Sequence, residues 1–187
     1  MIPSAAALPS PRRPHEDDRT GTASTAVGAV SARSWPPSPN RERAMAFDPA
    51  LLALFAELRG GSLITLKRDG RPQASVVIHV WDPDRRAVRI SVTDDRAKTR
   101  NLRRDPRASY QVVSPDLTGW AVGEGYAELT APATDPHDAT VDALVDLYRT
   151  LAGEHPDWDG YRAAMVADRR VVLTVAFERV YGGIQGR

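Results

Sequence analysis

The chain has 187 residues, a formal net charge of +1 and no cysteine. That length suits one domain with a sizeable core, and the absence of thiols excludes disulfides, thiolate metal sites and thiol catalysis. The near-neutral charge gives no global pull toward nucleic acid, and no apolar run approaches the ~18 residues of a membrane span.

Residues 1–44 differ in kind from the rest. They carry Pro3, Pro9, Pro11, Pro14, Pro36, Pro37 and Pro39 among many Ser, Thr and Ala, with Trp35 as their aromatic. Such a stretch cannot bury enough apolar surface to offset its ordering entropy, so a disordered extension is expected. Met1 to Leu8 holds no cation ahead of an apolar stretch, unlike a signal peptide. An over-extended gene start, with Met45 as the true initiator, would account for the segment. A folded domain is expected over 45–187, in a staple-free chain that fits the cytoplasm.

Asp48-Pro49 opens a helix, with Asp as cap and Pro in the first turn. Leu51, Leu52, Leu54, Phe55 and Leu58 form its apolar stripe, and Gly60-Gly61 is expected to end it. Ser62 to Arg68 alternates as a strand. Asp69-Gly70 then signals a two-residue hairpin, and the return strand runs from Arg71 to Trp81. Ala74, Val76, Ile78 and Val80 are its expected core face; Gln73, Ser75, Val77, His79 and Trp81 are expected to line a groove. His79, alone in a strand, reads as a structural histidine before a catalytic one.

Residues 87–93 alternate again, with Val88, Ile90 and Val92 inward and Arg89, Ser91 and Thr93 on the other side. Asp94 and Asp95 offer caps for a short helix over Arg96–Arg104, closed by Asp105-Pro106. Arg96, Lys98, Arg100, Arg103, Arg104 and Arg107 crowd this segment. Arg96, Arg100 and Arg103 share a helical face where like charges repel, so an anion is expected to relieve them. A helix N-terminus flanked by Arg and Lys is a ready phosphate site. The plainer reading is a solvated basic face.

Ala108 to Val113 and Trp120 to Leu129 are further strands, joined through Ser114-Pro115-Asp116. Gly123 and Gly125 alternate along the second, which implies close approach by another backbone or a bend. Ala139 to Leu151 is an amphipathic helix stopped by Gly153, and Trp158 to Val166 is another with Tyr161 and Met165 inward. Arg170 reads as an ordinary residue at the start of the last strand, with reach to a ligand's anionic tail as the alternative; that strand, Val171 to Tyr181, is expected to close a barrel. No nucleophile elbow, triad, acid pair or His/Cys metal cluster is present.

Arg96-Ala97-Lys98-Thr99-Arg100-Asn101-Leu102 resembles the phosphate-binding segment of the pyridoxamine-phosphate-oxidase-like split-barrel flavoproteins. It is most like their actinobacterial branch, which uses the deazaflavin coenzyme F420. The resemblance runs from about Phe47 to Tyr181. Its strongest further pieces are Asp69-Gly70-Arg71-Pro72-Gln73 and Leu147-Tyr148-Arg149 with Gly153-Glu154-His155.

The resemblance implies a mainly β fold with helices, a split β-barrel working as a homodimer with its ligand groove between protomers. It implies an F420-dependent oxidoreductase, with FMN as the alternative cofactor and a non-catalytic carrier as the alternative role. The cofactor would do the redox work, which is why no catalytic side chain is assigned. Arg96 and Lys98 would hold the phosphate, Thr99 would donate its hydroxyl and N–H to the same anion, and Arg100 and Asn101 would extend that shell. Ser91 would lie near the ring or ribityl chain, Gln73 and Ser75 would bond the ring edge, and Trp120 would wall the ring, with supply from the second subunit or a plain core-capping role as the alternatives. The vitamin B6 oxidases carry a C-terminal Arg-x-His motif that Glu178 to Arg187 lacks, which argues against pyridoxamine phosphate as substrate. Binding of nucleic acid through the basic helix is disfavoured by the overall charge and by the absence of interleaved aromatics.

Overall fold

The computed structural model describes residues 47–186, so the proposed disordered extension and Met45 lie outside the described residues. Helix α1 spans Pro49–Glu57, with Asp48 accepting the Ala50 N–H at 2.9 Å and Pro in the first turn. It ends at Leu58, whose N–H donates to the Leu54 carbonyl. Gly60-Gly61 therefore does not terminate the helix; it already belongs to strand β1, Gly60–Leu66.

Strand β2, Pro72–Ile78, returns antiparallel to β1, with Leu66 opposite Pro72. The turn has three residues rather than two. The Gly70 N–H donates to the Lys67 carbonyl and the Lys67 N–H to the Arg71 carbonyl. Gly70 sits at φ +80, which is the left-handed residue that such a loop requires.

The expected long return strand breaks at His79. Beyond it come β3 (Val80–Asp82), β4 (Ala87–Thr93), helix α2 (Ala97–Arg104), β5 (Arg107–Val113) and β6 (Gly119–Leu129). Helices α3 (Ala139–Ala152) and α4 (Trp158–Ala167) precede the long strand β7 (Arg170–Ile184). All pairings are antiparallel, in the order β2-β1-β5-β6-β7-β4-β3. Strands β2 and β3 are thus the two outer strands, yet one residue separates them in sequence. The sheet must curl until its margins meet at His79, which gives a split barrel. Closure comes from that joint and not from β7, which lies inside the sheet between β6 and β4.

His79 is fixed on three sides. Its N–H donates to the Arg59 carbonyl at 2.9 Å. Nε2 is 2.8 Å from the Phe55 carbonyl, and Nδ1 is 2.8 Å from the Tyr110 hydroxyl. The neutral ring with its proton on Nε2 satisfies both, donating to Phe55 and accepting from Tyr110. Burial pulls its pKa below the usual value, against the opposing pull of the Phe55 carbonyl. The structural reading of this histidine agrees with these bonds.

Inside the barrel, Leu51, Phe55, Leu63, Ile90, Tyr110, Val112, Leu173 and Phe177 form one apolar core. Phe55 packs on Trp81 and Phe177 at ring separations of 5.6 and 4.9 Å. Each such side chain contributes roughly 1.5–3 kcal/mol by leaving water. A satellite core of Val141, Leu144, Leu147, Met165 and Val172 fastens α3 and α4 to the outside of β7. The close approach expected at the β6 glycines is present. A Cβ on Gly125 would overlap the Ala176 carbonyl at a bulge between Glu124 and Gly125, and one on Gly123 would strike the Phe177 ring.

The faces of β2 are reversed from expectation. Val77 packs toward the core, whereas Val76 is 86% and Ile78 64% exposed. Both faces of this strand are apolar at its end, so alternation alone did not identify the inward one. Among the described residues no helix is long and apolar enough to cross a membrane.

Candidate functional site

The site grows from the polar face of β4. Arg89, Ser91 and Thr93 project from alternate positions of that strand, and the chain then turns into α2. The helix N-cap is Arg96, whose side chain makes no capping bond. Asp94 and Asp95 therefore do not cap. The Asp94 carboxylate instead pairs with Arg103 and, at 3.6 Å, with Arg169. The Asp95 carbonyl accepts from Arg100. The repulsion expected along this helix is thus relieved at Arg100 and Arg103 by the turn itself, without a ligand.

Two cations of the segment, Arg96 and Lys98, face a cavity instead. Arg96 donates through Nε to the Thr93 hydroxyl at 2.9 Å, which leaves its charge uncompensated. Lys98 is half-buried beside it. Burial first, and the Arg96 charge second, hold the Lys98 ammonium below its ordinary pKa. Among the described residues neither forms an ion pair with a carboxylate, and nor does Arg89.

These groups open into a cavity of about 610 Å³. Arg89, Ser91, Thr93, Arg96, Lys98 and Arg170 supply its polar lining. Leu147, Tyr148 and Leu151 of α3, with Tyr161 and Met165 of α4, form an apolar wall, and Val76 to Ile78 form the rim. Arg170 enters from β7, where it stands opposite Thr93. Its Nη1 donates to the Ser91 hydroxyl at 3.2 Å and its Nε to Asp168 at 3.2 Å. Behind the wall, Tyr148, His155, Trp158 and Tyr161 pack as a mutual cluster with ring separations of 5.1–5.7 Å. Arg149 lies over the Trp158 ring at 4.7 Å and bonds Glu154. Cations collected at a capless helix start beside an apolar wall can hold a phosphate at one end and a flat ring along the other.

Of the residues singled out in the sequence, the structure brings Ser91, Arg96 and Lys98 together in this cavity. Thr99 is fully buried, and its hydroxyl donates to the Thr93 carbonyl at 3.1 Å, so that proton is committed to the turn. Arg100 points to Asp95 from an exposed position. Asn101 donates to Gln73 at 2.8 Å and to Thr65 at 3.1 Å, so Asn101 and Gln73 bind one another and lock α2 onto the β1–β2 hairpin. Ser75, opposite Leu63, is not on the cavity lining. Trp120 is on β6 opposite Gly183 and packs edge-on against Tyr181 at 6.1 Å, so it does not wall the cavity of its own chain.

Sequence reasoning missed Arg89, Tyr148, Tyr161 and Met165 as lining residues, and it set the reach of Arg170 to a ligand second to a plain strand-entry role. Arg89 carried a signal, since it alternates with Ser91. The tyrosines and Met165 read as helix core, and half of each role is true: they cover the satellite core and face the cavity.

Residues 47–182 match the family model described as pyridoxamine 5'-phosphate oxidase. Among solved structures, an F420 reductase is 23% identical, with a TM-score of 0.56 over 72% of this chain and 98% of that one. A conserved hypothetical protein from Mycobacterium tuberculosis is 19% identical, with a TM-score of 0.59 over 79% of this chain and 90% of that one. A heme binding protein from Mycobacterium smegmatis is 25% identical, with a TM-score of 0.54 over 76% of this chain and 57% of that one.

Proposed function

Because the chain belongs to the pyridoxamine 5'-phosphate oxidase family, we propose that its cavity binds the deazaflavin coenzyme F420 and that the protein is an oxidoreductase acting on a conjugated organic acceptor. The observation that carries this reading is the pair Arg96 and Lys98, which face the cavity with no carboxylate of the described residues to neutralise them. Lys98 is half-buried, and a half-buried cation without a partner is costly unless an anion joins it. A phosphorylated coenzyme meets that need, and the likeness to a solved F420 reductase favours the deazaflavin over FMN.

When bound, the coenzyme supplies the hydride, and the chain supplies grip, orientation and dryness. Arg96 and Lys98 hold the phosphate by charge-assisted hydrogen bonds. Arg170 donates to the Ser91 oxygen, which leaves the Ser91 proton free to donate to an acceptor atom of the ligand. Leu147, Tyr148 and Met165 give the cavity an apolar side that excludes water.

The same reading includes a cytoplasmic homodimer. Val76 and Ile78 leave apolar side chains in water at the cavity rim, and a second protomer would cover them. Sedimentation of the purified protein tests this; a monomer at micromolar concentration removes the dimer.

Titration of cofactor-free protein with F420 and with FMN tests the central claim. Saturable binding that favours F420 supports it, binding of FMN alone moves the assignment to the flavin, and no saturable binding of either discards it. Reductase assays with quinones, tetrapyrroles and nitroaromatics then separate an enzyme from a carrier that binds without turnover.

A further inference from the structure

The cavity holds more positive charge than its phosphate end uses. Arg96, Lys98 and Arg170 gather where β4 ends and α2 begins, around Thr93. Arg89 stands apart from them. It lies four residues back along β4, about 13 Å at the usual rise of an extended strand, opposite Val80 on one side and Thr174 on the other. Its neighbours in sequence, Val88 and Ile90, are buried in the core, which fixes the backbone on which it sits.

Arg89 is half-buried and lines the cavity. Among the described residues its side chain makes no hydrogen bond to another side chain or to the backbone, and no ion pair. The other arginines of this cavity behave differently: Arg96 is tied to Thr93 and Arg170 to Ser91 and Asp168. An unemployed guanidinium, partly withdrawn from water and flanked by an apolar wall, is a planar donor fork awaiting a planar anion.

We propose that Arg89 is the specificity-determining residue for the acceptor, and that it selects a flat, apolar molecule bearing a carboxylate. The ring lies along Leu147, Tyr148, Leu151 and Met165, and the carboxylate takes the Arg89 fork. The proposal rests on the reading above only in giving the Arg96–Lys98 end to the coenzyme's phosphate. It adds a second anion subsite at the opposite end of the same cavity.

Binding of 2-naphthoate and of 2-naphthamide to the full-length protein tests it. The two probes share a ring and differ in charge, and excess inorganic phosphate occupies the Arg96–Lys98 end. The wild-type protein should prefer the carboxylate by about tenfold or more, the scale of one charge-assisted hydrogen bond. Arg89→Gln should erase that preference, Arg89→Lys should keep part of it, and Lys98→Ala should leave it intact. Should Arg89→Gln fail to fold, the wild-type Arg89 side-chain N–H resonance serves instead; it must move with naphthoate and stay still with naphthamide. Equal affinity for the two probes in the wild-type protein overturns the proposal, and so does a preference lost in Lys98→Ala but kept in Arg89→Gln. Loss of coenzyme binding in Lys98→Ala with an intact naphthoate preference separates this subsite from the phosphate assignment.

Discussion

Replacing Lys98 by alanine should weaken coenzyme binding without weakening the fold, and the opposed signs make it the sharpest test of the site. In the free protein Lys98 is half-buried, sits beside the like-charged Arg96 and pairs with no carboxylate of the described residues. Removing it relieves a repulsion and breaks no hydrogen bond of the described residues, so the free energy of unfolding should stay within about 0.5 kcal/mol of wild type or rise. With coenzyme bound, the variant lacks one charge-assisted hydrogen bond, about 1.5–3 kcal/mol. At 1.4 kcal/mol per tenfold, Kd should increase roughly 10- to 150-fold. Urea unfolding of the cofactor-free protein gives the first quantity, and titration with F420 and FMN gives the second. An unchanged Kd, or a loss of stability as large as the loss of affinity, would refute the assignment, because the lysine would then be part of the scaffold.

Three further outcomes follow from the same geometry. Asn101→Ala should cost roughly 1–3 kcal/mol of stability by stripping Gln73 and Thr65 of their donor, yet change coenzyme affinity by less than about threefold; a variant with normal stability and poor binding would restore Asn101 to the ligand shell. Gly125→Ala should destabilise by about 1–3 kcal/mol, since its Cβ meets the Ala176 carbonyl; a wild-type urea midpoint would mean that the bulge relaxes freely. His79 has a folded pKa below its unfolded value, so the unfolded chain takes up the proton first as pH falls. Its contribution is complete above about pH 6.5, the unfolded value, and declines as pH drops below it. The fall in stability between pH 7.5 and 5.5 should therefore be smaller in His79→Gln, and equal slopes in the two proteins would contradict the buried neutral ring.

What the sequence made legible was local. Asp48-Pro49 and Gly153 announced helix limits through cap chemistry, and each sits where that chemistry acts. Gly70 announced a turn, although the residue count of the loop depended on hydrogen bonds that composition does not encode. The break at His79 was invisible because Arg71 to Trp81 alternates without a turn residue. It arises from closure of the sheet, a property of strands far apart in the chain. Asp94 and Asp95 have the composition of caps, but Arg103 and Arg169, brought in by folding, took the Asp94 carboxylate. The Arg96–Arg107 run was legible as a charged segment. That only Arg96 and Lys98 of its cations face the cavity, and that Arg89 and Arg170 join them, required the β4–β7 pairing.

The single-residue joint at His79 has a consequence for how the chain can be divided. Every ladder hydrogen bond of the barrel lies within β1–β2 or among the strands after this point, apart from the β1–β5 pairing that holds the two parts together. Severing the backbone there cuts no strand in its interior. Two fragments, one ending at His79 and the other starting at Val80, should recombine through β1–β5 and the Phe55 cluster, which makes the seam a natural place for a split reporter of ligand occupancy.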